Sequence, residues 1–259
     1  LAWVGAQDES IARRFVELGV PANRVEVAGS LKWDTTIVAD SIDGAEALSA
    51  ALGLSSTTPL WVCGSTGPDE EKLLLEAYGQ LLQQGQNVAL AIVPRKPERF
   101  NQVADLIRSR GFKCVRRSER PHGATNDSAS SNDDSRPAVI LGDTMGELRQ
   151  FYCLATAVFV GRSLVPMGGS DPMEVAALAK PIIAGPHMNN FALPVAALAK
   201  VGALHQVRGV ADLAATVAEL LINPDTARQQ GLQARQVVLQ NQGATDRTIE
   251  RLVGLIDKG

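Results

Sequence analysis

Short apolar runs alternate with longer amphipathic runs along most of the 259-residue chain. The runs with the length and composition of buried strands are residues 1–5, 24–29, 59–64, 87–93, 112–117, 138–142, 157–161, 181–185 and 203–207. Helical periodicity covers residues 8–19, 69–85, 97–110, 145–155, 172–179, 191–201 and 209–222, and two more helices close the chain. This alternation predicts an α/β fold in which a Rossmann-like parallel sheet has helices on both faces.

Two segments interrupt the alternation. Residues 34–58 carry only a short helical stretch between two strands, which indicates an interdomain connection, and residues 118–136 are rich in Ser, Asn and Asp without apolar periodicity, which predicts a disordered insertion. We therefore expect residues 1–52 to be the end of one domain with its linker, and 53–259 to be a second domain. The first residue is not Met, so we expect the chain to be part of a longer protein.

Composition excludes several classes of protein. The formal charge is -3, which gives no field of one sign for nucleic acid or an anionic membrane. The cysteines Cys63, Cys114 and Cys153 lie singly in apolar segments, as reduced thiols of a cytoplasmic protein do. No apolar run reaches the ~18 residues of a membrane span, and no signal peptide is visible.

Ligands of open parallel sheets bind beyond the carboxyl ends of the strands, so the segments that follow the predicted strands are the place for chemistry. These segments are GSTGPDEE from residue 64, PRKPER from 94, GDTMGEL from 142, GRSLVPMGGSDPMEV from 161 and GPHMNNF from 185. Parallel strands bring their carboxyl ends to one edge, and we expect a single site there.

The segment MGGSDPME supports two interpretations. Gly168 and Gly169 allow positive φ and close approach of a ligand to the backbone. Asp171, Pro172 and Glu174 have the spacing of an N-cap, a first helical position and a capping-box partner. A helix start of this kind is either an ordinary cap or an anion site, in which the glutamate accepts the hydroxyls of a ribose.

Three further positions carry the same ambiguity. Thr144 and Glu147 have capping-box spacing with Gly146 between them, so GDTMGEL is either a cap or part of a ligand site. Arg95 directly follows a predicted strand. Its guanidinium either donates two hydrogen bonds to a phosphate or is an ordinary solvated surface charge. Lys32, in GSLKWD, follows another strand and is either a surface charge or a residue that reaches a ligand.

Together these segments resemble the 3-deoxy-D-manno-octulosonic acid (Kdo) transferases of lipopolysaccharide synthesis. The matching motifs, in order, are AQDE from residue 6, GSLKWD from 29, GSTGPDEE from 64, PRKPERF from 94, GDTMGEL from 142 and GRSLVPMGGSDPMEVAALAKPIIAGPHMNNF from 161. The resemblance implies a GT-B glycosyltransferase that inverts configuration and moves Kdo from CMP-Kdo to a lipid A precursor, lipid IVA. The chain would be the C-terminal, donor-binding half, soluble and inactive alone.

The resemblance also implies partners and site residues. The catalytic glutamate base, the acceptor surface and a membrane anchor would lie in the other half, on the cytoplasmic face of the inner membrane. Lys32 would stabilise the transition state, without a metal, a further cofactor or nucleic acid. Contacts to CMP would come from Pro94, Arg95, Met145, Gly146, Glu147, Gly168, Gly169, Ser170, Asp171, Pro172, Met173 and Glu174.

Several positions depart from the family pattern. Gly67, Lys96 and Ser170 stand where histidines are usual, Asp171 and Ser30 replace asparagines, and Arg162 replaces a glycine. These changes leave open a donor that carries a nonulosonic acid in place of Kdo. A GT-B domain that uses a UDP-sugar and a non-catalytic sugar-nucleotide-binding protein also stay open.

Overall fold

The structure is a computed structural model that describes residues 1–55, 57–120 and 137–257. The chain divides into two compact units. The smaller unit is Leu1–Val38 with Gln236–Gly259, and the larger is Ala39–Arg235.

The smaller unit is built on a two-stranded parallel sheet. Strand β1 (Val4–Ala6) pairs with β2 (Val25–Val27), and helix α1 (Glu9–Glu17) connects them. Helix α10 (Ala244–Ile256) carries exposed apolar side chains at the i, i+3, i+4 and i+7 spacing of one helical face, namely Ile249, Leu252, Val253 and Ile256. The described part of this unit therefore leaves a hydrophobic helix face uncovered.

The larger unit contains a seven-stranded sheet in which every neighbouring pair is parallel. Its strands are β3 (Leu60–Thr66), β4 (Ala89–Pro94), β5 (Lys113–Arg116), β6 (Ala138–Leu141), β7 (Ala157–Val160), β8 (Ile182–Ala184) and β9 (Leu204–Gln206). They lie in the order β5-β6-β4-β3-β7-β8-β9. The predicted α/β class with a parallel sheet is confirmed.

Helices flank this sheet, and apolar side chains fill the space between. The remaining helices are α2 (Ala45–Leu52), α3 (Glu70–Gln83), α4 (Phe100–Ser109), α5 (Leu148–Leu154), α6 (Met173–Ala176), α7 (Ala192–Lys200), α8 (Val210–Ile222) and α9 (Pro224–Asn241). All seven residues of β3 are buried, as expected for a central strand covered on both faces. Among the described residues, no helix combines the length and hydropathy that a membrane crossing requires.

The boundaries of the two units differ in two places from the predicted division between residues 52 and 53. Residues 39–52 belong to the larger unit because α2 buries Leu48 and Leu52 and packs on α5, where Gln150 donates to the carbonyl of Asp43 at 3.0 Å. They are not a free linker.

The last helix belongs to the smaller unit, whereas the sequence prediction placed it in the second domain. The Asp34 carboxylate accepts the Gly243 N–H at 2.6 Å, just before α10 begins. A prediction that follows the chain in order cannot detect this return of the C-terminal segment to the first strands.

Candidate functional site

A cavity of about 420 Å³ lies at the carboxyl edge of the larger unit's sheet. The chain passes from β3 to β4 on one side and later places β7 on the other, so the strand order reverses around β3. Such a switch point is where open α/β sheets form a crevice. The lining residues come from the segments after these three strands, and they are Thr66, Gly67, Pro68, Arg95, Lys96, Glu98, Arg99, Arg162 and Met167.

Glu70, the first residue of α3, is fully buried and joins two of these segments. One carboxylate oxygen accepts the Arg162 N–H at 2.6 Å and the Gly67 N–H at 3.2 Å. The other accepts the N–H groups of Ser163 and Leu164, both at 2.9 Å. Burial raises the pKa of Glu70, while these N–H donors act to lower it. The sequence prediction missed this residue.

Its neighbour Glu71 is equally buried, but its carboxylate accepts hydrogen bonds from side chains, whereas that of Glu70 accepts them from backbone N–H groups. Arg99 donates to both carboxylate oxygens, at 2.6 and 3.0 Å, and Thr66 donates to one of them at 2.9 Å. This forked pair raises the pKa of Arg99. The positive charge of Arg99 at the cavity wall is therefore neutralised.

The predicted residues Pro94 and Arg95 end β4 at this edge. Pro94 is buried, and the Arg95 N–H donates to the Thr66 carbonyl at 3.1 Å, which fixes the start of the segment. The Arg95 side chain is exposed in the cavity lining.

The segment after β6 is held by the end of β5. Asp143 accepts the Arg116 guanidinium at 2.6 Å, and it accepts the backbone and hydroxyl donors of Ser118 at 2.8 and 2.6 Å. Burial acts to raise the pKa of Asp143, but the bonds from Ser118 and Arg116 hold it below its usual value. Ser118 lies in a 3₁₀ turn, Arg117–Glu119, so these residues of the predicted insertion are folded. Residues 121–136 lie outside the described part of the chain.

The Glu147 carboxylate, like that of Asp143, is held by an arginine and a hydroxyl group. Arg117 donates to its carboxylate from two nitrogens, the closest at 2.8 Å, and the Thr144 hydroxyl donates to it as well. Helix α5 begins at Leu148 with Glu147 itself at the N-cap, so the predicted capping box from Thr144 is wrong. Met145 and Gly146 form an exposed tip, with Gly146 at φ +86°.

The glycine pair of the β7 segment has a packing explanation. Gly168 and Gly169 have φ of +83° and +82°, which glycine adopts without steric cost. A Cβ on Gly168 would collide with the Asn190 side chain, and one on Gly169 with Met188. The pair therefore lets this segment lie directly against the segment after β8.

Ser170 and Asp171, which follow the glycine pair, both form hydrogen bonds with backbone groups. Asp171 accepts the Met173 N–H at 2.8 Å, and Ser170 donates weakly to the Ser65 carbonyl at 3.4 Å. The predicted helix over 172–179 forms only as the single turn α6, Met173–Ala176, and the bond from the Met173 N–H to Asp171 is the one that an N-cap at Asp171 would accept. Such a short helix supplies little dipole for an anion.

Glu174 is half-buried in this segment. Burial raises its pKa first, the neighbouring Asp171 carboxylate raises it further, and Arg149 and Arg95 act in the opposite direction. A raised pKa beside charged neighbours is typical of a functional site, although Glu174 is not among the residues that line the cavity.

Lys32 belongs to the smaller unit. It lies in a turn after β2, where its carbonyl accepts the Thr35 hydroxyl at 2.9 Å, and its side chain is exposed. Its role at the transition state stays a prediction. No group of three or more His, Cys, Asp or Glu side chains that could hold a metal occurs among residues 1–55, 57–120 and 137–257.

Known proteins give the same family that the motifs indicate. A 3-deoxy-D-manno-octulosonic acid transferase of Haemophilus influenzae is 32% identical over 259 residues, covering 100% of this chain and 58% of that protein. The corresponding transferase of Bordetella pertussis is 29% identical, covering 95% of this chain and 55% of that protein. The chain is a homologue of the Kdo transferases along its whole length.

This Kdo transferase homologue spans a little over half the length of these relatives. Its fold matches the crystal structure of the C-terminal CMP-Kdo binding domain of WaaA from Acinetobacter baumannii, with a TM-score of 0.64 and 29% identity, covering 75% of this chain and 95% of that domain. The Anabaena HepE structure, at 11% identity and a TM-score of 0.55, shows the GT-B fold alone. No family model matches the chain.

Proposed function

We propose that this chain is the donor-binding part of a glycosyltransferase that moves Kdo from CMP-Kdo to a lipid A precursor, lipid IVA. The observation that carries the proposal is the match to the CMP-Kdo binding domain of WaaA, whose length this chain covers almost completely. The carboxyl-edge cavity supports it, because it lies where nucleotides bind in open α/β sheets. We propose that the larger unit binds the donor and that the smaller unit ends the acceptor domain.

The residues proposed to contact CMP differ in whether their side chains are already held by other protein groups. Arg95 lines the cavity and can donate hydrogen bonds to a phosphate, and Glu174, which is outside the cavity lining, is proposed to accept hydrogen bonds from hydroxyl groups of the nucleotide. Glu147 is occupied by Arg117, so its segment would offer the exposed backbone around Gly146. The other proposed contacts are Pro94, Met145, Gly168, Gly169, Ser170, Asp171, Pro172 and Met173.

The proposed chemistry is transfer with inversion and without a metal or a further cofactor. As the bond to the sugar breaks, the leaving CMP gains charge on its phosphate, and preorganised cations stabilise such a charge. Arg95 would do so from the donor unit, and Lys32 is proposed as a second cation at the transition state. The catalytic base and the membrane association of the full-length enzyme, at the cytoplasmic face of the inner membrane, would lie in the part of the relatives that this chain does not match.

Calorimetric titration tests the donor assignment. The chain should bind CMP at least tenfold more tightly than UMP or UDP. Glu174→Ala and Arg95→Ala should each weaken CMP binding by at least tenfold, which corresponds to ~1.4 kcal/mol.

Arg108→Ala is the matched control, because Arg108 is an exposed arginine of α4 paired only at the surface with Asp105. It should leave CMP binding unchanged. Equal affinities for CMP and UMP would overturn the assignment, and tighter binding of UDP would favour a UDP-sugar donor.

A further inference from the structure

Arg162 has a backbone conformation that a residue with a side chain rarely adopts. Its φ is +61°, in the left-handed region that favours glycine. Strained positions of this kind persist only where the surroundings impose them, and they concentrate at binding and catalytic sites. Arg162 is also one of the residues that line the carboxyl-edge cavity.

Glu70 imposes this conformation. Its buried carboxylate accepts the N–H groups of Arg162, Ser163 and Leu164, at 2.6, 2.9 and 2.9 Å. Hydrogen bonds to a charged acceptor are strong in a buried setting, so the backbone turn at Arg162 is fixed independently of the Arg162 side chain.

The Arg162 side chain then extends over the bare backbone of Gly67. A Cβ at Gly67 would lie 3.1 Å from Arg162 Cγ and 2.7 Å from Met167 Sδ, so these two side chains fill the space above the glycine. The guanidinium donates to the Met167 carbonyl at 3.3 Å. A guanidinium has five N–H donors, and this bond uses one of them.

The cationic side chains of the cavity lining are Arg95, Lys96, Arg99 and Arg162. Of the cationic lining residues, Arg99 is neutralised by Glu71, and Lys96 lies 3.6 Å from Glu98. Arg95 and Arg162 extend from opposite sides of β3, after β4 and β7. Two guanidinium groups around one crevice form a site for an anionic oxygen group.

We propose that Arg162 is a specificity-determining residue of the donor site that binds an anionic group of the donor, either the sugar carboxylate or the phosphate. The inference rests on the proposed function, since the donor is an ulosonic acid joined to CMP. The strained backbone is retained because it directs a guanidinium into the cavity over Gly67.

The test compares wild type, Arg162→Gly, Arg162→Lys and the Arg108→Ala control, each titrated with CMP and with CMP-Kdo. Arg162→Gly should bind CMP-Kdo at least tenfold more weakly, and Arg162→Lys should fall between it and wild type, because lysine keeps the charge without the fork. Thermal unfolding of Arg162→Gly should occur at the same or a higher temperature, because glycine fits a φ of +61°.

The two titrations distinguish the source of the anion. A loss confined to CMP-Kdo assigns Arg162 to the sugar carboxylate, and an equal loss with CMP assigns it to the phosphate. Unchanged affinity for both ligands overturns the proposal, as does a lower unfolding temperature in Arg162→Gly, which would make Arg162 a structural brace. A wild-type chain that binds neither ligand overturns the proposed function as well.

Discussion

The segments after β6 and β7 have similar sequences but reach different structures. Each places a glutamate, Glu147 or Glu174, three residues after a residue of a type that commonly caps helices. Glu147 is largely buried in an ion pair with Arg117, whereas Glu174 lies beside a like charge, Asp171, with its pKa raised. The difference comes from the neighbouring strand, because only the β6 segment lies next to Arg116 at the end of β5 and Arg117 in the turn that follows. A local motif therefore does not determine whether its carboxylate is structural or available.

Breaking the Glu147 pair should have the largest effect on stability. Glu147→Ala should lower the free energy of unfolding by about 3 kcal/mol, because it leaves the largely buried Arg117 without its partner. Urea unfolding measures this loss. The double variant with Arg117→Ala should lose less than the sum of the two single variants. Additive losses would show that the pair contributes nothing beyond its separate side chains.

A glycine from each segment gives a matched comparison of intermediate size. Both Gly146 and Gly168 have positive φ, which costs an alanine roughly 1–2 kcal/mol. A Cβ on Gly146 meets nothing within 4 Å, whereas one on Gly168 collides with Asn190. Gly146→Ala should therefore cost about 1 kcal/mol and Gly168→Ala about 2 kcal/mol in unfolding experiments. Equal costs would mean that the β8 segment moves away freely.

The smallest effect concerns the pH dependence of Glu174. Because its pKa is raised in the folded state, its contribution to stability is present below the usual value of 4.5 and is lost as pH rises through the raised value. Glu174→Gln should thus unfold at a slightly higher temperature than wild type at pH 7, within about 2 °C, and the gain should vanish below the usual value. A lower unfolding temperature at pH 7 would show that the carboxylate stabilises the fold.

The sequence predicts the sheet well because buried parallel strands are continuous apolar runs, which local composition reveals. Strand β5 was predicted over 112–117 and is Lys113–Arg116, and β9 was predicted over 203–207 and is Leu204–Gln206. The convergence of the loops at one edge follows from parallel topology alone, so it could be predicted as well.

Pairings between distant residues could not be predicted. Glu70 has the sequence of an ordinary acidic first turn, yet it accepts N–H groups from residues 92 to 94 positions later. The partner of Glu147 is 30 positions earlier, and this pair displaces the predicted capping box. No local signal separates Glu70 from its acidic neighbours Asp69 and Glu71, because the donors that a fully buried carboxylate needs come from distant residues.

The backbone at Arg162 has an evolutionary consequence. Every arginine codon is a single base change from a glycine codon, so the residue that fits a φ of +61° without strain is always within reach of mutation. A side chain without a function would readily be replaced by glycine, because the replacement relieves the backbone strain. The frequency of arginine at this position in newly sequenced close relatives therefore records how strongly selection retains the guanidinium.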